Sequence, residues 1–486
     1  MKMKMWVWFL VFLTLTSTLC ASVSISDLVV KICVTKREYN YQLPWAPPIL
    51  SKSLGSGFVI AESRILTNAH MVANASFIEV RSSDSKRKYE AFVKVVGHDC
   101  DLALLEVGDS QFFQGKGYLT IDECIVGQEE KVQVYGFPIG GQGLSVTSGV
   151  VSRIEMDRYM HSGAILLTSQ IDAPTNPGNS GGPVIAGGKV VGIVHQGFTV
   201  GQNIGYMIPV PVIRHFLHEV EKGSYRGFPQ FPLTTQVIQN FAMRRYFGLE
   251  GNAGGLLITH VPEGHFLHNI VQAGDILVGV DGHDIDSCGC IYYQSERLSL
   301  PFRYAIAMKY FGDLIELDVL RDGEPLHFSA QIDYCRRGQS LVKSAEYDKP
   351  PSYYILGGMV YQPLVGNFFD QGFSSPLVEL LPYFFERVRD GRDEVVVLTH
   401  VLDDRVNSGY QRLKNEVIKS VNGCDIRNIR EMIDVCSKCS SPYYEIITEN
   451  NVAIVLDRDR VVERDPEILR RYSISSDRSD DLKNAR

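Results

Sequence analysis

Asn176-Pro177-Gly178-Asn179-Ser180-Gly181-Gly182-Pro183 sets a serine between glycines on a tight turn, where a bulky neighbour would block access to the hydroxyl. The apolar runs on either side, Ala164–Gln170 and Pro183–Ile185, are read as strands that hold the turn rigid. A serine hydroxyl is a poor nucleophile at neutral pH. It needs an imidazole to take its proton and a carboxylate to fix the imidazole tautomer. Upstream, Leu66-Thr67-Asn68-Ala69-His70 offers the imidazole, and Asp99-Cys100-Asp101-Leu102-Ala103-Leu104-Leu105 offers the carboxylate. Each piece alone has a bland reading: a loop, a structural histidine after a strand, an acidic cap at a strand start. Found in one order inside strand-rich sequence, they predict nucleophilic acyl transfer. Asp101 is the preferred carboxylate because it abuts the apolar run Leu102–Val107, which would bury and orient it; Asp99 is the fallback.

The order His, Asp, Ser is that of the chymotrypsin-type double barrel. Residues 24–222 fit it: runs such as Lys131–Phe137, Ala164–Gln170 and Val190–His195 alternate with glycine-rich turns, as antiparallel barrels require. Ile185–Val190 reads as a hairpin, and Val212–Glu221 as an amphipathic helix. The Gly140-Gly141-Gln142-Gly143 run lacks the strand–helix context of a phosphate loop and is read as a turn.

Beyond Gly227 the chain repeats itself. Thr259-His260-Val261 recurs as Thr399-His400-Val401, and Gly274–Ile285 recurs as Asn415–Ile426, with an Asp281-Gly282 turn matched by Asn422-Gly423. A strand, a turn and a short strand at that period predict a duplicated module. The first copy is assigned to 227–335 and a diverged second to 353–472. Between them the polar stretch Arg336–Ser352, with Pro350-Pro351, is read as a linker, and 473–486 as a charged tail with disorder beyond Tyr472.

The chain has 486 residues, a prior of about three domains. It is 45% hydrophobic and 21% charged, as in globular proteins. A net charge of -8 argues against a nucleic-acid partner, which wants a basic face. The close histidine pairs His215/His218 and His265/His268 lack metal-site spacing, so neither metal nor cofactor is expected. Lys2 and Lys4, the apolar Trp6–Leu19 and the small residues around Thr18-Leu19-Cys20 read as a signal peptide over 1–22, with a retained membrane anchor as the alternative. Cys288-Gly289-Cys290 and Cys436-Ser437-Lys438-Cys439 are read as local disulfides or free thiols rather than redox or zinc sites.

Six stretches in sequence carry a family resemblance: Gly55-Ser56-Gly57-Phe58-Val59-Ile60, Thr67-Asn68-Ala69-His70, Asp101-Leu102-Ala103-Leu104, Tyr135-Gly136-Phe137-Pro138-Ile139-Gly140, the serine motif, and Asn203-Ile204-Gly205-Tyr206-Met207-Ile208-Pro209. They resemble the Deg/HtrA serine proteases, in the plant-type branch. The resemblance implies a mainly β fold: a chymotrypsin-like double β-barrel followed by a PDZ domain and a divergent PDZ-like domain. It implies His70 as general base, Asp101 as its orienting partner, Ser180 as nucleophile, and the N–H groups of Gly178 and Ser180 as oxyanion donors. The substrate pocket would take its wall from Ile193, His195, Gln196 and Gly197. That segment carries no acid, so an aliphatic P1 side chain is expected. The implied activity is endoproteolysis of unfolded or damaged polypeptides in trimers or multiples of trimers, with peptides as PDZ ligands. The rival reading is a non-catalytic chaperone or PDZ scaffold. Carboxylate capture by the first module would fall near Phe228–Leu233, where Pro229 and Pro232 have no N–H to give. The expected compartment is periplasmic or secretory, with an organellar location as the alternative.

Overall fold

The computed structural model describes residues 24–483 apart from 62, 84, 142, 198–203, 232, 250, 252, 294–296, 335–339, 371–375 and 389–390. The amino-terminal leader reading therefore lies outside the described residues. Two closed six-stranded barrels form the first half. In the first, Val29–Glu38, Ile49–Ile60, Arg64–Thr67, Leu102–Val107, Tyr89–Gly97 and Ala75–Ser82 follow one another around the wall. In the second the order is Pro183–Ala186, Lys189–Gly197, Gly205–Pro209, Ile165–Ile171, Ser145–Arg158 and Lys131–Gly136. Closure leaves neither sheet an open edge. The Ile185–Val190 hairpin forms, with Ile185 opposite Val190 and both turn glycines at positive φ. One apolar core runs through both barrels, including Ile32, Phe58, Leu104, Val134 and Ile193. The helix Val210–Glu221 lays Ile213 and Phe216 onto it.

The repeat is real in three dimensions. In the first module Val280 pairs with His283 across Asp281-Gly282, and in the second Val421 pairs with Cys424 across Asn422-Gly423. Both turns take positive φ at both positions, 48° and 74° in one and 48° and 76° in the other. Asp-Gly and Asn-Gly are the pairs that tolerate that backbone. Each module has its own core, around Leu277 and Leu317 in the first and around Leu398 and Ile446 in the second.

Two expectations from polarity are corrected. The stretch read as a linker is a strap: Leu341 and Val342 are buried with Leu364 and Phe368, and Lys343 bridges to Val365. The charged tail, read as disordered beyond Tyr472, is packed against the second module as far as Lys483. Ile474 and Leu482 are buried, Arg478 pairs with Tyr354, and Ile355 N–H donates to Asp477 O at 2.7 Å. Polar side chains here hydrogen-bond across the surface while isolated apolar ones anchor the segment. Among the described residues the cysteines are free thiols, including Cys288, Cys290, Cys436 and Cys439, and no helix is long and apolar enough to cross a membrane.

Candidate active site

His70 lies in the one-turn helix Ala69–Val72, at the end of the strand Arg64–Thr67. Asp101 ends the turn before the neighbouring strand Leu102–Val107 and is fully buried. Pairing of those two strands, Leu66 opposite Leu104, brings their ends together. His70 Nδ1 is 2.6 Å from Asp101 Oδ2, and the His70 backbone N–H donates to Oδ1 at 2.7 Å. The Asp101 carbonyl also accepts from Ala69 N–H at 3.1 Å and from Asn68 Nδ2 at 3.0 Å. Burial pushes the Asp101 carboxyl up, but the imidazoles beside it outweigh burial and hold it well below the usual carboxylate range. It stays ionised and accepts only. Asp99, the fallback, faces away: its carboxylate takes the Tyr225 hydroxyl and the Phe228 N–H, at 3.1 Å for the latter. Burial pushes that carboxyl up.

Ser180 is half-buried on its turn, and its carbonyl accepts from Ser56 N–H at 2.8 Å. That bond joins the two barrels. The next residue, Gly181, has φ +81°, and a Cβ there would lie 2.3 Å from Thr67 Oγ1 and 3.2 Å from Asn68 N. Only glycine lets the serine turn approach the strand that leads to the histidine. Ser56 Oγ ties the same region, donating to Gly178 O at 2.8 Å and accepting from Phe137 N–H at 2.9 Å.

The amides of the turn sort themselves. Asn179 N–H donates to Asn176 O, Gly181 N–H to Val194 O, and Gly182 N–H to Asn179 O. Among the described residues, the N–H groups of Gly178 and Ser180 have no protein acceptor. The Pro177 carbonyl is drawn to Ile139 N–H at 2.8 Å, and in a trans peptide the Gly178 N–H points the opposite way. Two free amides on one tight turn are what a developing oxyanion requires.

The residues assigned to the substrate wall divide. Ile193 is fully buried in the barrel core. His195 is 2% exposed, and its Nδ1 sits 2.7 Å from Asp101 Oδ2. It lies behind the aspartate, not on a pocket surface. The strand register shifts between Val194 and Gln196, and such a bulge re-aims a side chain. Gln196 and Gly197 pair with Tyr206 and Gly205, the Gln196 side chain lying outside the described residues. Two residues unmarked by sequence reasoning also enter the neighbourhood. His161 lies with its ring 6.2 Å from that of His70, and Tyr347 of the strap stacks on it at 4.1 Å. Burial lowers the His161 imidazole to about 3. No short motif flags a contact between residues that far apart in sequence.

Residues 55–193 match the trypsin-like peptidase domain family, and residues 342–481 match the PDZ domain family. The PDZ match thus falls on the copy read as diverged, and begins inside the stretch read as a linker. Protease Do-like 2, chloroplastic, of Arabidopsis thaliana is 35% identical, over 94% of this chain and 76% of that protein. Protease Do-like 4, mitochondrial, of the same plant is 34% identical, over 92% and 84%. The chain belongs to the Do-like serine protease family. Membership and the peptidase domain make it a serine endopeptidase. The fold of the HtrA-type protease AlgW, solved with a tripeptide, is similar over 63% of this chain and 94% of that one, at 23% identity and a TM-score of 0.50. Close pairs apart, His215 proves structural: it stacks between Phe228 and Tyr310.

Proposed function

We propose that Ser180 is the nucleophile, His70 the general base and Asp101 its orienting carboxylate, in an endopeptidase that cuts unfolded or damaged polypeptides. The observation that carries this is the His70–Asp101 pair, at 2.6 Å with the aspartate sealed from water, set across the barrel junction from a serine turn with two unclaimed amides. Ser180 Oγ attacks the scissile carbonyl while His70 takes its proton, and Asp101 holds the opposite ring nitrogen. The Gly178 and Ser180 N–H groups bind the oxyanion. His70 then returns the proton to the departing amine, and water resolves the acyl-enzyme by the same steps.

The segment Ile193–Val200 carries no acidic residue, which supports a preference for an uncharged aliphatic P1 side chain. The PDZ domain at 342–481 supports peptide binding outside the catalytic barrels. We place the protein in an organelle: relatives named mitochondrial and chloroplastic support that alternative over export to a periplasmic or secretory space. Family membership supports trimers or multiples of trimers.

Digestion of a reduced, unfolded model protein tests the assignment. The wild type should cut it and take a fluorophosphonate at Ser180, and Ser180→Ala should do neither. Equal digestion by Ser180→Ala overturns the assignment. An unreactive wild type, even with peptide activators, instead gives a binding scaffold. Sedimentation reads the oligomer, and sequencing the mature amino terminus reads the compartment.

A further inference from the structure

Asp101 serves two imidazoles. Its Oδ2 meets His70 Nδ1 at 2.6 Å and His195 Nδ1 at 2.7 Å, while Oδ1 takes the His70 backbone N–H. An ionised carboxylate only accepts, so each of these ring nitrogens must carry its hydrogen. Among the described residues, His195 Nε2 is buried with no hydrogen-bond partner, and the ring packs against Tyr159 at 4.5 Å. The Tyr159 hydroxyl is itself committed to Leu167 O at 2.6 Å. A buried imidazole with one nitrogen unsatisfied is costly to keep. An apolar ring would fill the space without that cost, so the Nδ1 bond must supply what a ring alone cannot.

The position of His195 in the chain says what. Val194, immediately before it, exchanges two bonds of 2.9 Å with the nucleophile turn, accepting from Gly181 N–H and donating to Gly182 O. The bulge then aims the His195 side chain across the barrel junction. A continuous path runs from the serine turn through Val194 and His195 to Asp101 and His70. We propose that His195 is a positioning residue for catalysis: its Nδ1–H locks Asp101 Oδ2 to the second barrel, and so fixes the orienting carboxylate in register with the nucleophile turn. This rests on the Ser180–His70–Asp101 reading. Other titratable groups lie around this centre: Lys36, whose Nζ donates to His70 O at 2.6 Å, His161 with His98 behind it, and Asp99 and Cys100 on the Asp101 turn, whose side chains are turned to Tyr225.

His195→Phe keeps the ring and removes the donor; His195→Asn puts an amide N–H near the place of Nδ1. Losing a hydrogen bond to a charged group should slow turnover and fluorophosphonate labelling of Ser180 roughly 10- to 100-fold in His195→Phe, with KM unchanged. His195→Asn should recover most of the rate. His195→Phe within twofold of wild type, or His195→Asn as slow as His195→Phe, overturns the proposal. Wild type that fails to label defeats the triad reading instead. If His195→Phe does not fold, the wild type decides through its own spectrum. Protein labelled with 15N-histidine should show two low-field imidazole N–H protons, one of them lost in His195→Asn. A His195 proton found on Nε2 rather than Nδ1 overturns the assignment.

Discussion

Gly178→Ala tests the oxyanion turn with the smallest possible change. Gly178 has φ +103°, and a Cβ built there lies 2.4 Å from the Phe137 carbonyl oxygen and 2.9 Å from Ile139 N. Both are backbone atoms, so no side chain can swing aside. Holding an alanine in that backbone conformation costs about 1–3 kcal/mol before the clash is counted. Rotating the Pro177–Gly178 peptide is the cheap escape, and it carries the Gly178 N–H away from its present direction. One oxyanion donor is then lost, worth about 2.7–4 kcal/mol of barrier, or roughly 100- to 1,000-fold in kcat. That strain of about 1–3 kcal/mol lowers Tm by roughly 2–12 °C, since about 1 kcal/mol moves a domain of this size by roughly 2–4 °C. Hydrolysis of a fluorogenic peptide gives kcat and KM, and thermal unfolding gives Tm. The expected result is a kcat loss of that size with KM within about threefold. A kcat within about tenfold of wild type at unchanged Tm would refute the reasoning.

Asp101→Asn should lower kcat by about 10,000-fold by fixing the wrong His70 tautomer. Asp99→Asn should stay within a few-fold, because that side chain faces Tyr225 and Phe228; the reverse ranking in a peptide assay would reassign the carboxylate. Burial lifts the Asp465 carboxyl to about 7, against about 3.9 in an unfolded chain. Between those values the folded chain holds a proton that the unfolded one has released, so stability falls as pH rises through the window. Asp465→Asn should raise Tm at about pH 8 and flatten its pH dependence down to about pH 4, and an unchanged slope refutes this. With free thiols at Cys288, Cys290, Cys436 and Cys439, Tm should be the same with and without reductant; a drop on reduction would reveal a bridge.

What the chain disclosed in advance was whatever rests on short-range chemistry. The His, Asp and Ser motifs sit at strand ends, and strand pairing alone collects the first two. The Asp281-Gly282 and Asn422-Gly423 turns announced themselves because few residue pairs accept that backbone. His195 was legible as a residue near the site but not in its role. A bulge is a mismatch between two strands, and the sequence of one strand does not carry it. The strap was misread for a related reason. Asp348 meets Asn74 and His98 across separations of 274 and 250 residues, and polarity that looks like linker composition supplies those bonds. The tail escaped because its two buried anchors, Ile474 and Leu482, are too sparse to make a periodic pattern.

The turn from His98 to Asp101 shows how the modules reach the chemistry. Its four residues face three different parts of the molecule, Asp99 and Cys100 sharing Tyr225. His98 Nε2 holds Asp348 of the strap at 2.8 Å. Asp99 takes the Phe228 N–H at the entrance to the first module. Cys100 Sγ sits 3.2 Å from the hydroxyl of Tyr225, just before that entrance. Asp101 holds His70, and its own backbone is in the left-handed region at φ +53°, a conformation that surrounding contacts must enforce. Besides its contacts within the barrels, such as Ser162 Oγ donating to Asp99 O at 2.8 Å and His161 meeting His98 at 2.9 Å, this turn is pinned by the segment entering the first module and by the strap leading to the second. Moving either of them draws on the same few peptide units that present the orienting carboxylate. The path from module to active site is thus one tight turn long. Hydrogen exchange at the 98–101 amides, with and without a peptide bound to the PDZ domain, measures that connection, and identical protection in the two states would show that the modules leave the turn undisturbed.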